Sequence, residues 1–184
     1  DYLDILNLSP DVFNDTTGIS AMQMVEAQID QLVHGVVTRV NQIFSPTTAQ
    51  NIVVGGLSQR VNVWDEVNGS LGSNKKGPGQ ELFTRDFMDR YKEVVDDGGK
   101  TWYVYNEENA TDELSLYTIT NTKANPILID DETLLPYLTK EGEVNYNMAK
   151  QISAVWEEKT MRLTPDTADL CSFKDYYARM VGTL

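Results

Sequence analysis

GISAMQMVEAQIDQLVHGVVTRVNQIF, residues 18–44, decides how the chain is organised. Its apolar residues Met22, Val25, Ile29, Leu32, Val36, Val40 and Ile43 recur at steps of three and four. That spacing keeps one stripe on one side of a helix and, when sustained, resembles a coiled-coil seam. Val33, Val37 and Phe44 widen the stripe, while Asp30, Gln31, His34, Thr38 and Asn41 lie on another side. Ser20 with Gln23 forms a capping-box pattern at the start, and Pro46 marks the stop. At roughly 1.5 Å per residue the helix runs to about 40 Å, a length suited to a rod or bundle. Gly35 inside it costs about 1 kcal/mol relative to alanine, so it marks a close crossing or is tolerated by a helix held by its neighbours.

Outward from this helix, the chain passes through contrasting segments. Residues 1–17 open with a short apolar patch and turn formers. After Pro46 come two short β-type runs, NIVVGG and VNVW, and a Gly/Ser/Asn/Lys loop over 68–79 that reads as surface. ELFTRDFMDRYKEVV has Phe83, Phe87, Tyr91 and Val94 at helical spacing and Arg85 four residues before Asp89, which predicts a short helix. TWYVYN and LSLYTIT alternate about a polar connection, which predicts a hairpin with a long loop over 101–120. Trp102 and Val104 would then face one way, Tyr103 and Tyr105 the other. NPILIDDETLLPY reads as an extended run. Asn145 caps a second helix carrying Met148, Ile152, Val155 and Trp156, barred by Pro165. Ser172 with Asp175 opens a third, in which Phe173, Tyr176, Tyr177, Met180, Val181 and Leu184 make an amphipathic pattern.

The expected fold class is therefore α+β: a long-helix bundle formed by the N- and C-terminal segments with an inserted β-rich domain. The segments are a helical rod over 1–47, the insert over 48–144, and a second rod segment over 145–184. The packing and assembly candidates are Met22, Ile29, Leu32, Val36, Val40 and Ile43 on the first helix. Ile152, Trp156, Phe173, Tyr176, Tyr177 and Met180 complete the set from the C-terminal segments.

Composition narrows the chemistry. Fifteen basic against 28 acidic side chains give a formal charge of -13, which argues against nucleic acid or an anionic membrane as main partner. Cys171, the one cysteine, has no internal disulfide partner and reads as a buried small residue. No stretch approaches the roughly 18 to 20 apolar residues of a membrane span. The start DYLDILNLSP has no signal-like core and the last helical pattern runs to the final residue, as in a piece of something longer.

His34 is the one histidine, so no His pair or Cys/His metal set exists, and its place on the polar flank reads as a surface or helix contact. Asp96 and Asp97, and Asp130, Asp131 and Glu132, are turn-like rather than EF-hand-like. Neither glycine-rich stretch matches a phosphate-loop spacing. No catalytic, metal or cofactor residues are assigned. Trp102, Tyr103, Tyr105 and Tyr117 stand as either cross-strand packing or a sugar- or peptide-binding face, with Trp102 and Tyr117 the possible surface contacts.

AQIDQLVHGVVTRVNQIF, with Asp30, Leu32, Val40 and Asn41 in place, resembles the long helix of the flagellar hook-associated, hook–filament junction family (FlgK). ELFTRDFMDRY, SLYTITNTKANPILIDD and FKDYYARMVGTL are also similar to segments of that family, so the resemblance spans residues 19–184. The terminal helical regions of full-length members, which form their inner tube, are not represented. The resemblance implies a non-enzymatic structural component of the bacterial flagellum, extracellular and exported by the flagellar type III system. It implies self-association in a ring in the full-length protein, contacts to the hook protein and to the second junction protein FlgL, no nucleic acid and no membrane. The alternative from the residues alone is an extracellular surface binding module making glycan or protein contact through the β-rich insert.

Overall fold

The computed structural model describes residues 21–162 and 168–182. Helix α1, Ala21–Phe44, is followed by strands β1 (Thr47–Val54) and β2 (Leu57–Trp64), then β3 (Phe83–Arg85), β4 (Tyr91–Val95) and β5 (Thr101–Tyr105). β6 (Thr122–Ala124) and the short helix α2 (Pro126–Asp130) precede α3 (Tyr146–Ala154), β7 (Lys159–Met161), β8 (Cys171–Ser172) and α4 (Phe173–Gly182). Single 3-10 turns cover Glu113–Ser115, Glu132–Leu134 and Val155–Glu157. The architecture is mixed helix and sheet, as the α+β expectation has it. A long-helix bundle is not what the described residues form: beside the 24-residue α1, the other α-helices have 5, 9 and 10 residues.

The sheet order is β1-β2-β5-β4, with all neighbours antiparallel. Gly55 and Gly56 both take positive φ, 61° and 77°, which a two-residue hairpin turn of matching twist requires. The Asp97 carboxylate accepts both glycine N–H groups at 2.8 Å, and the Asp97 N–H donates to the Val53 carbonyl, so the two hairpin tips are clipped together. Ile52, Val63 and Val104 form the core of this sheet, with Val54, Val61, Val94 and Trp102 packed around them. Trp102 and Val104 thus share a face, as their alternation predicts. Two further two-stranded pairs, β3 with β6 and β7 with β8, stand apart from it.

A second core joins α1 to the C-terminal elements. Ile43, Val155, Met161, Cys171, Phe173, Tyr176 and Met180 are buried there, with Ile29, Leu32, Val36 and Ile152 against them. The final helix packs on the first, as its apolar pattern demands, and Cys171 is a buried free thiol. Gly35 is the crossing point: a Cβ there would lie 2.6 Å from Met161 Sδ and 3.0 Å from Phe173 Cε1. The Asn145 side chain accepts the Met148 N–H, and Ser172 Oγ accepts the Asp175 N–H, so both sequence-marked caps form. Ser20 and Pro165 lie outside the described residues, and of Met22 only the backbone is described.

Five local expectations are corrected. Residues 82–95 are two strands and a turn rather than a helix, because Arg85 and Arg90 are drawn inward and Tyr91 reaches back to the end of α1. In place of the Arg85–Asp89 surface pair, Arg85 Nη2 reaches the Asp89 carbonyl at 3.4 Å from a buried site. The hairpin partner of β5 is β4, and LSLYTIT supplies a 3-10 turn instead of a strand. Residues 126–130 are helical: Asn125 Oδ1 accepts the Ile127 N–H at 3.1 Å and Pro126 takes the first helical position, a start signal rather than a strand edge. The 68–79 loop is partly interior, since Gly69, Ser70, Leu71, Gly72 and Gly79 are buried and Gly69 and Gly77 press on Trp64.

Gly35→Val should lower stability by about 2 kcal/mol or more by overpacking against Phe173. Gly35→Ala should stay within about 1 kcal/mol, its helix-propensity gain offsetting displacement of the flexible Met161 thioether. Urea-unfolding midpoints of the two variants separate a close crossing from mere tolerance.

Candidate functional site

The last two turns of α1 sit in a buried polar cradle. Asn41 is 0% exposed, and its amide uses its full hydrogen-bonding capacity. Oδ1 accepts the N–H groups of Leu82 and Phe83 at 3.1 and 3.0 Å, while Nδ2 donates to the Phe83 carbonyl at 2.7 Å and Glu81 Oε2 at 3.1 Å. By exchanging bonds with both main-chain groups of Phe83, Asn41 acts as a neighbouring strand to β3. Tyr117 Oη donates to the same Glu81 oxygen at 2.5 Å, and Arg90 Nη1 lies 3.6 Å from it.

Arg90 also closes the helix end. Its Nη2 and Nε donate to the Ser45 carbonyl at 2.7 and 3.2 Å, and Tyr91 Oη donates there at 3.0 Å. A cation among the orphan carbonyls of a helix C-terminus meets the favourable end of the helix dipole. Arg85, 2% exposed, donates to the carbonyls of Ser115 and Asn106 and lies 4.8 Å from the Tyr117 ring centroid. Burial raises the Glu81 carboxyl above its usual range, against the opposing pull of the Tyr117 hydrogen bond and the arginine charges. Burial and the Glu81 charge likewise raise the Tyr117 hydroxyl.

Further along the same flank, Asp30 Oδ1 accepts the Ile119 N–H at 2.9 Å, and His34 Nε2 meets Glu108 Oε2 at 2.9 Å. Burial works to raise the Glu108 carboxyl, but the hydrogen bond and charge of His34, with the Tyr117 N–H, hold it below the usual value. Arg39 makes a two-pronged pair with Glu158 at 2.5 and 2.8 Å. Helix α1 is thus held on one side by apolar packing and on another by charged and amide groups.

Of the sequence-assigned packing residues, Ile43, Phe173, Tyr176, Met180 and Val40 are buried, and Ile29, Leu32, Val36 and Ile152 are partly buried against the same core. Tyr176 also donates to Gln31 Oε1 at 2.9 Å. Trp156 and Tyr177 lie outside the core of the chain: they are 53% and 57% exposed, Trp156 meeting Phe173 edge-on and Tyr177 falling on the outer face of α4. Tyr117 is corrected as a surface contact, since it is 0% exposed and its hydroxyl is consumed by Glu81. Trp102 is half-buried, its Nε1 donating to Asp96 Oδ2 at 2.8 Å and Lys100 Nζ standing 3.5 Å over its ring. The residues that sequence reasoning missed are Asp30, Asn41, Glu81, Arg85, Arg90 and Asn125, all buried and polar. One signal was present: Asp30, His34, Asn41 and Ser45 recur at helical spacing, a second stripe beside the apolar one.

Among the described residues no group of three metal-ligating side chains is brought together, and no helix is long and apolar enough to cross a membrane. A hollow of about 590 Å³ lies between the β1–β2 and β4–β5 hairpins. A smaller polar one of about 340 Å³ lies beside the end of α1, lined by Gln42, Asn68, Lys140, Asn147 and Gln151 among others. Comparisons with protein-family models, curated proteins and solved structures gave no match.

Asn41→Ala should cost about 3 kcal/mol or more, because the buried N–H and carbonyl groups of Leu82 and Phe83 and one Glu81 oxygen lose partners. Chemical denaturation reads this directly. Glu81 gives a pH signature of definite sign. With its folded pKa raised, the stability it lends is complete below the unfolded carboxyl value of about 4.3 and is lost as pH rises through the folded one. Glu81→Gln should therefore gain stability relative to wild type as pH is raised from about 4, in parallel urea titrations; a pH-independent difference would place the Glu81 pKa at its ordinary value.

Proposed function

We propose that this chain is a structural component of the bacterial flagellum, a segment of a hook–filament junction protein whose helix faces are its assembly surfaces. One observation carries the reading: the segments with the family resemblance contain the residues on which the fold is built. From AQIDQLVHGVVTRVNQIF come Asp30 and Asn41, from SLYTITNTKANPILIDD come Tyr117 and Asn125, and from FKDYYARMVGTL comes Tyr176, all of them buried. Asn125 links two of these segments, donating to the Glu81 carbonyl at 2.9 Å while capping α2.

The disposition of chemistry supports a mechanical role. Buried charges are spent on joining segments: Glu81 to Asn41, Tyr117 and Arg90, and Arg85 to carbonyls. As it does in the middle of the chain at Val67, Phe87 and Ile129, apolar surface remains on the helical segments, with Met24 44%, Trp156 53%, Tyr177 57% and Val181 47% exposed. In the proposed assembly these residues face other helices of the junction wall, the rod-like bundle is completed there, and the β-rich middle faces outward. The ring of copies, the hook protein and the second junction protein FlgL are the partners this reading proposes, outside the cell after type III export. The alternative, a surface binding module, loses Tyr117 as a contact and keeps the half-buried Trp102 and the hollow between the hairpins.

Immunogold electron microscopy on cells of the source bacterium, with antibody raised against this chain, tests the proposal. Label should fall in one narrow band between hook and filament. Label spread over the cell surface, or absent from flagella, would overturn it.

A further inference from the structure

Asn109-Ala110-Thr111 is an Asn-x-Ser/Thr triplet with no proline in the middle, the acceptor pattern for an N-linked sugar. Asn68-Gly69-Ser70 is a second, and Asn7-Leu8-Ser9 and Asn14-Asp15-Thr16 lie outside the described residues. A pattern of three residues arises easily by chance, so the fold decides which copy can react. The chemistry needs an exposed carboxamide nitrogen that is free of other bonds, and a hydroxyl two residues on that reaches the same carboxamide.

The Asn109 copy meets both needs. All three of its residues are exposed, in the polar connection that leads from β5 to the 3-10 turn Glu113–Ser115. Asn109 Oδ1 accepts the Thr111 N–H at 3.0 Å and the Thr111 hydroxyl at 2.9 Å, and among the described residues Nδ2 has no partner, so it is the free end of a fixed carboxamide. The main chain beneath is pinned to the interior: Oγ of Ser115, 1% exposed, accepts the Asn109 N–H at 2.8 Å, and the Asp112 N–H donates to the Asn109 carbonyl at 2.8 Å. The Asn68 copy meets neither. Its Nδ2 is taken by Asp65 Oδ2 at 2.8 Å, Gly69 is buried, and Ser70, 1% exposed, faces inward with its Oγ accepting from Asn145 Nδ2 at 2.9 Å.

From this contrast we infer that Asn109 is a site of N-linked glycosylation, and that the folded chain withholds Asn68. The co-substrate is a sugar activated at its anomeric carbon by a diphosphate, carried on a nucleoside or on a lipid. Asn109 Nδ2 attacks that carbon, a C–N bond forms, and the bond from the carbon to the diphosphate oxygen breaks. The nucleoside or lipid diphosphate leaves with the electron pair, and the proton lost by Nδ2 passes to a base of the transferase. The inference stands on the fold of the middle segment and is independent of the flagellar reading.

The test is peptide-resolved mass spectrometry of the full chain isolated from cells of the source organism, as wild type, Thr111→Ser and Thr111→Ala. A sugar is expected on the Asn109 peptide of wild type and Thr111→Ser, none on that peptide of Thr111→Ala, and a bare Asn68 in all three. Thr111 is exposed, so the unfolding midpoint of Thr111→Ala should stay with wild type, which separates loss of the acceptor from loss of the fold. Incubating the purified chain with radiolabelled UDP-glucose and the soluble cell fraction, or with the membrane fraction and its lipid-linked sugars, identifies the donor by which of the two labels Asn109. An unmodified Asn109 in the chain from its own cells, a sugar on Asn68 at the level of Asn109, or a Thr111→Ala chain modified like wild type would each overturn the inference.

Discussion

The C-terminal end of α1 cannot be left in an apolar interior, and the rest of the structure follows from how it is satisfied. A helix ends with carbonyls that lack intrahelical partners, and burying them without donors is costly. Arg90 and Tyr91 meet the Ser45 carbonyl, Ser45 Oγ donates to the Gly79 carbonyl, and Asn41 one turn earlier holds β3. Each of these bonds fetches a segment distant in sequence. Glu81 then binds the fetched segments to one another, taking Tyr117 and Asn41 on a single oxygen.

Such a cradle is sensitive to the loss of any one partner. Pairing offsets much of the desolvation penalty of a buried charge, whereas a charge that loses its partner keeps that penalty in full. That asymmetry explains why Glu81, Arg85 and Arg90, 2%, 2% and 7% exposed, occur together rather than singly. It also divides the labour on α1. Apolar packing through Ile43, Val36 and Gly35 supplies adhesion to α4 and β7, while the polar flank sets which middle segments dock and at what height.

The two hairpins are assembled more loosely. They meet at Val63 and Val104 and are tied again at the Asp97 clip, and a hollow opens where β2 and β5 part beyond Val104. A continuous ladder would have closed that space and paired Arg60 with Glu107. The outward side of α4 is a different kind of opening, where Tyr177 and Val181 stay exposed although α1, β7, β8 and the Val155–Glu157 turn pack on the other side of the helix.

Local chemistry by itself determined the elements whose signals are periodic or carried by a cap: α1 from its three-and-four spacing, and the Asn145 and Ser172 helix starts. The contact of the last helix with the first was equally legible, because it is read from an apolar stripe that needs a partner. The sequence left Gly35 open between a close crossing and tolerance, and Met161 and Phe173 against it decide for the crossing. What only the tertiary structure decided lies where a polar residue is buried. Asp30, Asn41, Glu81, Arg85 and Arg90 look solvated in sequence, since nothing local reveals that a donor arrives from 40 or 89 residues away. Residues 82–95 show helical spacing yet form strands, because the gain from seating Arg85, Arg90 and Tyr91 against distant carbonyls outweighs propensity differences of a few tenths to about 1 kcal/mol per residue.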